Sequence, residues 1–351
     1  MISPADRVHG GLTALDAAGF SALSAVPRVI DFSVNINPYG PPPALVYAAR
    51  EAPLAAYPDP TARVARRAWA RALDISIERI AVANGAADLF WAIARAFLTS
   101  GSRVVIAEPT FSEFRIAAQA SGAEVEAVWA REEDGFRFSL SALRESAKDA
   151  RALYLCTPNN PTGAYVSSAE IVELARALPD TVLVIDQSFL ALSDHAEDNK
   201  FVAFPDNVLV VRSLTKDFAL AGLRIGLMFG ERELVSKVEA HRPTWSTSAP
   251  ALAAIAEAAR QSDFVATSYQ KLRADRDKVT RALRAHGLRP LPSSSVYQLV
   301  NVGEGAQFRE QLLQRGVLVR DCASFGLPAY ARIAARPAED VHMLRAALAL
   351  L

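Results

Sequence analysis

Residues 152–163 read Ala152-Leu153-Tyr154-Leu155-Cys156-Thr157-Pro158-Asn159-Asn160-Pro161-Thr162-Gly163. A short apolar run passes without a charged residue into a loop stiffened by Pro158 and Pro161. An apolar run of this length, bounded by turn residues, predicts a strand buried on both faces. An amphipathic stretch, Ala169–Leu178, follows, and then a second apolar run over Thr181–Ile185. Strand, loop, helix and strand make a parallel crossover unit, and the pattern extends both ways along the chain. Ile80–Ala83, Arg103–Ala107, Glu124–Val128, Val208–Val211 and Ile225–Phe229 read as further strands, with a helical pattern over Asp88–Leu98. Seven strands predict an α/β fold whose large domain is built on a mostly parallel seven-stranded sheet.

On either side of this block the composition changes. Residues 1–45 are rich in Gly and Pro and read as an extended N-terminal arm. A long Ala-rich helical pattern runs from Ala249 to His286. Strand-like runs follow near Val296–Val302, Val317–Val319 and Ala331–Ala334, with a helix from Ala338. The expected division is an arm over 1–45, a large domain over 46–245 and a smaller α+β domain over 246–351. A chain of 351 residues is long enough for two such units.

Charge and composition exclude several classes. Thirty-eight basic residues balance thirty-eight acidic ones, which argues against a general attraction to nucleic acid or to an anionic membrane. No apolar run approaches the ~18 residues that a membrane span requires, and the N-terminal residues lack the apolar core of a signal peptide. Cys156 and Cys322 form no CxxC pair, and the five histidines show no metal-ligand spacing, so no metal is expected. Two isolated cysteines read as reduced thiols of a cytoplasmic protein. Serine-hydrolase, P-loop and dinucleotide-binding signatures are missing. Only six basic residues are lysines, Lys148, Lys200, Lys216, Lys237, Lys271 and Lys278, so each can be considered singly.

Ligands of open α/β sheets bind at the carboxyl ends of the strands, and the informative residues of this chain follow its strands. Asn84-Gly85-Ala86-Ala87-Asp88 opens a helix with small residues, a form suited to a phosphate, though an ordinary strand–helix turn reads the same way. Phe111 follows the next strand, where a ring can cover a flat heterocycle or simply join the core. Asn159 and Asn160 offer amides on the rigid loop. Asp186 ends an apolar run, where a buried carboxylate calls for a cationic partner such as a ligand nitrogen, or else caps a helix. Arg212-Ser213-Leu214-Thr215-Lys216 and Gly222-Leu223-Arg224-Ile225-Gly226 bring the one lysine at a strand-to-loop position, with Ser213 and Arg224 suited to gripping a phosphate. Together these meet the needs of pyridoxal 5'-phosphate (PLP), a lysine Schiff base and a carboxylate for the pyridinium nitrogen.

With PNNPTG at 158–163, Asp186, SLTK at 213–216 and GLRIG at 222–226, the chain resembles the fold-type-I PLP enzymes of the class I and II aminotransferase group. HGG at 9–11, DFSVNINPYGPP at 31–42, YPDP at 57–60, TWS at 244–246 and RDCASFGLP at 320–328 are similar to the branch of histidinol-phosphate aminotransferases and threonine-phosphate decarboxylases. The resemblance implies that Lys216 carries the cofactor and shuttles protons, and that Asp186 keeps the ring nitrogen protonated. It implies that Asn160 donates to the ring oxygen, that Phe111 stacks on the ring, and that Ala86, Ala87, Ser213 and Arg224 hold the phosphate. Tyr57 would reach the cofactor of a second subunit, implying a homodimer with composite sites. Arg336 would fork onto the substrate carboxylate and Arg320 would read a distal anion. Asn37 and His9 would line the substrate pocket, a plain turn role being the other reading of His9.

Three positions depart from the group: Phe189 stands where many members have Tyr, Gln187 and Ser188 replace Glu-Ala, and Ala87 lacks a side-chain donor. The implied activity is PLP-dependent transfer of the α-amino group of a small amino acid with a distal phosphate or other anion. The alternative is α-decarboxylation of a phosphorylated amino acid, and a third reading is a non-catalytic binding protein. The intact set of Lys216, Asp186, Asn160 and Arg224 argues against the third.

Overall fold

The computed structural model of the protein describes Gly11, residues 29–199 and residues 204–351. His9 lies outside the described residues. The strands in chain order are β1 (Ile30–Asp31), β2 (Ile80–Ala83), β3 (Arg103–Glu108), β4 (Glu124–Trp129), β5 (Ala152–Cys156), β6 (Val182–Asp186), β7 (Val208–Ser213) and β8 (Gly226–Phe229), followed by β9 (Tyr297–Asn301), β10 (Val317–Leu318), β11 (Arg320–Asp321) and β12 (Tyr330–Ala334). Seven of them form one sheet in the order β2-β8-β7-β6-β5-β3-β4, as the sequence reading expects. Within it β8 runs antiparallel to both neighbours, and the other pairings are parallel.

Both faces of the sheet are covered. Side chains alternate across a strand, so Leu153, Leu155, Leu183, Ile185, Val208 and Val210 enter one core layer. Tyr154, Cys156, Val182, Val184, Leu209 and Val211 enter the other. Helices Gly85–Phe97 and Glu113–Ala120 cover that second face, while Ser168–Ala177 and Ala249–Ala258 cover the first. Two-sided burial is why the central strands read as continuous apolar runs.

Local differences from the sequence reading have plain causes. The strand expected from Thr181 begins at Val182, because the Thr181 hydroxyl donates to the carbonyls of Ala147 and Ala150 and so belongs to the turn. The expected strand Val317–Val319 is shorter, and a second short strand follows it. Val317–Leu318 runs parallel to β1, and Arg320–Asp321 pairs antiparallel with β12. The helical stretch from Ala249 is two helices, Ala249–Ala258 and Ser262–Ala285.

β1 adds the arm to the C-terminal layer, where Ile30 and Phe32 share a core with Val317, Val319, Ile333 and Leu344. The Ala334 amide donates to the Phe32 carbonyl at 2.9 Å. That pairing brings residues 33–37 to the carboxyl ends of the large sheet.

Candidate active site

A cavity of about 400 Å³ opens at those strand ends. It is lined by Ala86, Ala87, Phe111, Asn160, Asp186, Ser213, Lys216, Arg224 and Arg320, together with the arm residues Val34, Asn35 and Ile36. The sequence reading of the strand ends therefore converges on one site, although its members come from segments far apart in the chain.

β6 delivers Asp186 as its last residue, nearly fully buried. Its Oδ2 accepts from the Tyr154 hydroxyl at 3.0 Å and its Oδ1 from the Ser188 amide at 2.9 Å. Burial pushes this carboxyl above the ordinary range, against the pull of those hydrogen bonds and of Lys216. Lys216 sits on the one-turn helix Leu214–Asp217 directly after β7. Burial pulls its amine below the ordinary lysine value, Asp186 opposing the shift and Arg224 adding to it. Nζ lies 3.5 Å from the Thr215 hydroxyl and 5.7 Å from the centroid of the Phe189 ring. Desolvation favours the neutral, nucleophilic form of this amine, and the facing Asp186 carboxylate opposes it.

The anion cradle is built on glycine. Gly85 begins its helix at φ +82°, and a Cβ there would stand 2.8 Å from Arg224 Nη2. A Cβ on Gly226 would stand 2.7 Å from the Gly85 carbonyl carbon and 2.8 Å from the Ala86 nitrogen. Backbone this close leaves the first amides of helix Gly85–Phe97 free to face an anion, with Arg224 beside them. Ser213 Oγ lies 2.6 Å from the Thr215 hydroxyl. Gly226→Ala is expected to destabilise the fold by ~1–3 kcal/mol through overpacking and to weaken PLP retention by about tenfold or more. Thermal melting and the dissociation rate of PLP check this.

Two expectations need correction. Arg336 is not among the residues lining the cavity: its Nε and Nη2 bind Asp340 Oδ2 at 3.0 and 2.9 Å. The chain has already left β12 and turned at Pro337 into the helix Ala338–Leu348, so Arg336 meets the first turn of that helix. The β12 arginine that lines the cavity is Arg332, in the middle of the strand, which the sequence reading missed. Its Nη1 donates to Asn160 Oδ1 and its Nη2 to the Ser33 carbonyl at 2.6 Å. Its Nε is buried without a partner, and burial lowers the guanidinium to about 10. The alternation of β12 carried the signal, because Arg332 is a charge inside an otherwise apolar strand.

Asn37 is buried but does not line the cavity. Its Nδ2 donates to the Asp217 carbonyl at 2.9 Å, and its amide donates to the Lys216 carbonyl at 3.0 Å. It therefore braces the lysine turn, and Asn35 takes the cavity position with both side-chain polar atoms buried and without partners. Tyr57, expected to reach the cofactor of a second subunit, is 80% exposed and stacked on Trp245 with centroids 4.5 Å apart. Arg320 is buried in the cavity wall, with Nη2 2.5 Å from the Ser324 hydroxyl.

These residues fit PLP: an anion cradle at a helix start, a buried carboxylate, a sequestered lysine and unpartnered polar atoms of Asn35 and Arg332 around a cavity of ligand size. The fold and the site thus define an enzyme that works through PLP. Residues 27–350 match the family model described as aminotransferase class I and II. A histidinol-phosphate aminotransferase of Symbiobacterium thermophilum is 33% identical over 331 residues, covering 91% of each chain. The crystal structure of histidinol-phosphate aminotransferase from Sinorhizobium meliloti with pyridoxal-5'-phosphate superimposes with a TM-score of 0.83 at 25% identity, covering 99% of this chain and 96% of that one. L-threonine-O-3-phosphate decarboxylase from Porphyromonas gingivalis superimposes with a TM-score of 0.79 at 26% identity, covering 91% and 98%. The chain belongs to the class I and II aminotransferases, with PLP as its cofactor.

Proposed function

We propose that the protein removes the amino group of a small amino compound with a distal phosphate or other anion and passes it to a keto acid. The observation that carries this is the pair of buried arginines, Arg332 and Arg320, in the cavity that holds Lys216. PLP, when bound, supplies an electron-accepting ring joined to the substrate nitrogen. Lys216 holds the cofactor and then moves a proton at the substrate Cα. Asp186 keeps the ring nitrogen protonated, Asn160 donates to the ring oxygen and Phe111 covers the ring. Ala86, Ala87, Ser213 and Arg224 grip the phosphate. Arg332 forks onto a carboxylate, and Arg320 with Asn35 reads the distal anion.

One observation favours a second reading. Phe189 beside Lys216 offers no hydroxyl to the ring oxygen, and a similar fold is that of a threonine-phosphate decarboxylase. In that reading the Cα–carboxylate bond breaks instead of Cα–H. The test is a panel of amino compounds, including histidinol phosphate and threonine phosphate, with and without a 2-keto acid. Amino transfer that requires the keto acid is the expected result. Release of CO₂ without any keto acid would replace it with the second reading.

The protein is further proposed to be a cytoplasmic homodimer, with an arm over 1–45, a large domain over 46–245 and a small domain over 246–351. Exposed Tyr47, Leu54, Tyr57, Val64 and Trp245 lie on or near the segments that pack on helix Ala249–Ala258. Such a cluster suits a second copy, and Tyr57 would then reach that copy's cofactor.

A further inference from the structure

Tyr154 is the third residue of β5, and its side chain is fully buried. It enters the core layer covered by helices Gly85–Phe97 and Glu113–Ala120. There Phe114 stacks on its ring, with centroids 5.2 Å apart and planes at 14°. Phe90, itself part of the cavity wall, meets the ring edge-on at 5.6 Å. A phenylalanine would fill the same space, so packing accounts for the ring but not for the hydroxyl. A buried hydroxyl calls for a partner, and this one donates to Asp186 Oδ2 at 3.0 Å. Strand register makes the contact: Tyr154 lies opposite Val184, and Asp186 is two residues further along β6 on the same face. The Asp186 carboxylate is therefore held from two segments, at Oδ2 by Tyr154 and at Oδ1 by the Ser188 amide. Holding both oxygens fixes the plane of the carboxylate, and with it the lone pairs that remain for a ligand nitrogen.

We infer that Tyr154 is a positioning residue of the reaction, whose hydroxyl holds the Asp186 carboxylate in place and ionised and so keeps the proton on the ring nitrogen of bound PLP. The inference rests on the reading of Asp186 as the partner of that nitrogen. The hydrogen bond works against burial, which favours the neutral carboxyl. A donor to a charged acceptor belongs to the stronger class of hydrogen bond. Its loss makes Asp186 a stronger base, and the proton shared between Asp186 and the ring nitrogen moves towards Asp186. Lys216 then draws a proton from a substrate Cα whose electrons the ring accepts less well.

The test is the nitrogen-15 resonance of ring-labelled PLP bound to the protein, which reports the proton on the ring nitrogen without turnover. Tyr154→Phe keeps both ring contacts and removes the hydroxyl. It is expected to shift the proton balance between Asp186 and the ring nitrogen by about tenfold, or one pH unit. The resonance then moves towards that of an unprotonated pyridine. The kcat should fall by about tenfold with KM changed less than about twofold, since no contact to the substrate is lost. Tyr297→Phe is the control. Tyr297 is equally buried, but its hydroxyl donates to the Asn159 carbonyl at 2.9 Å, so the resonance should stay in place. An unmoved resonance in Tyr154→Phe would overturn the inference. So would an equal displacement in Tyr297→Phe, which would assign the effect to the loss of any buried hydroxyl. Asp186→Asn separates the two readings: a resonance left at the wild-type position removes Asp186 from the ring nitrogen, and the role of Tyr154 with it.

Discussion

Lys216→Ala is expected to remove the near-visible absorbance of the PLP-loaded protein and to lower turnover by about 10⁴-fold or more. The magnitude follows from the role of a positioned proton carrier, worth ~10²–10⁴, together with loss of the covalent attachment. Folding should survive, because the amine is disfavoured by its burial and not needed for packing. The sign of the pH effect follows from the lowered value of Lys216. Between that value and the ordinary 10.5, the unfolded chain binds more protons than the folded one. The cofactor-free wild type therefore gains stability as pH rises through that window, and the Ala variant lacks this slope. Denaturant titrations at several pH values measure it. A variant that kept both colour and turnover would remove Lys216 from the reaction.

Arg332→Ala is expected to lower kcat/KM for carboxylate substrates by about 10²–10³-fold. Truncating one partner of a buried, charge-assisted contact costs ~2–5 kcal/mol, and each 1.4 kcal/mol is a factor of about ten. Some PLP affinity should go with it, because Asn160 and the Ser33 carbonyl lose their donor. Arg332→Lys keeps the charge but not the fork, so it should recover only part of the loss. Arg336→Ala should change KM less than about twofold, since its contact is a partly exposed pair with Asp340 on one helix turn, worth ~0.3–0.5 kcal/mol. Steady-state kinetics at saturating PLP separate the two arginines. Equal losses in both would return the carboxylate contact to Arg336.

The cofactor side of the site was legible because it is local. Asp186 ends an apolar run, Lys216 follows another, and Ala86 and Ala87 open a helix after a third. In a parallel sheet such positions share one edge whatever the details of packing, so reading each strand to its end was enough. The substrate side was not legible in this way. Arg332 and Arg336 stand four residues apart around the end of one strand, and either could have faced the cavity. The choice was made by contacts to Asn160 and Ser33, which are 172 and 299 residues away in the chain.

The same holds for the arm. Asn35 and Asn37 share one side of an extended chain by their spacing, yet the Asp217 carbonyl captures Asn37 and leaves Asn35 to the cavity. The amino-acid sequence by itself determined the sheet, its two covered faces and the lysine, carboxylate and phosphate cradle at its edge, since periodicity and strand ends are short-range properties. Only the tertiary structure decided that Arg332 and Asn35, and not Arg336 and Asn37, line the cavity. Those choices depend on which distant hydrogen-bonding groups the docked layers bring within reach, and a buried polar side chain turns to the partner that satisfies it.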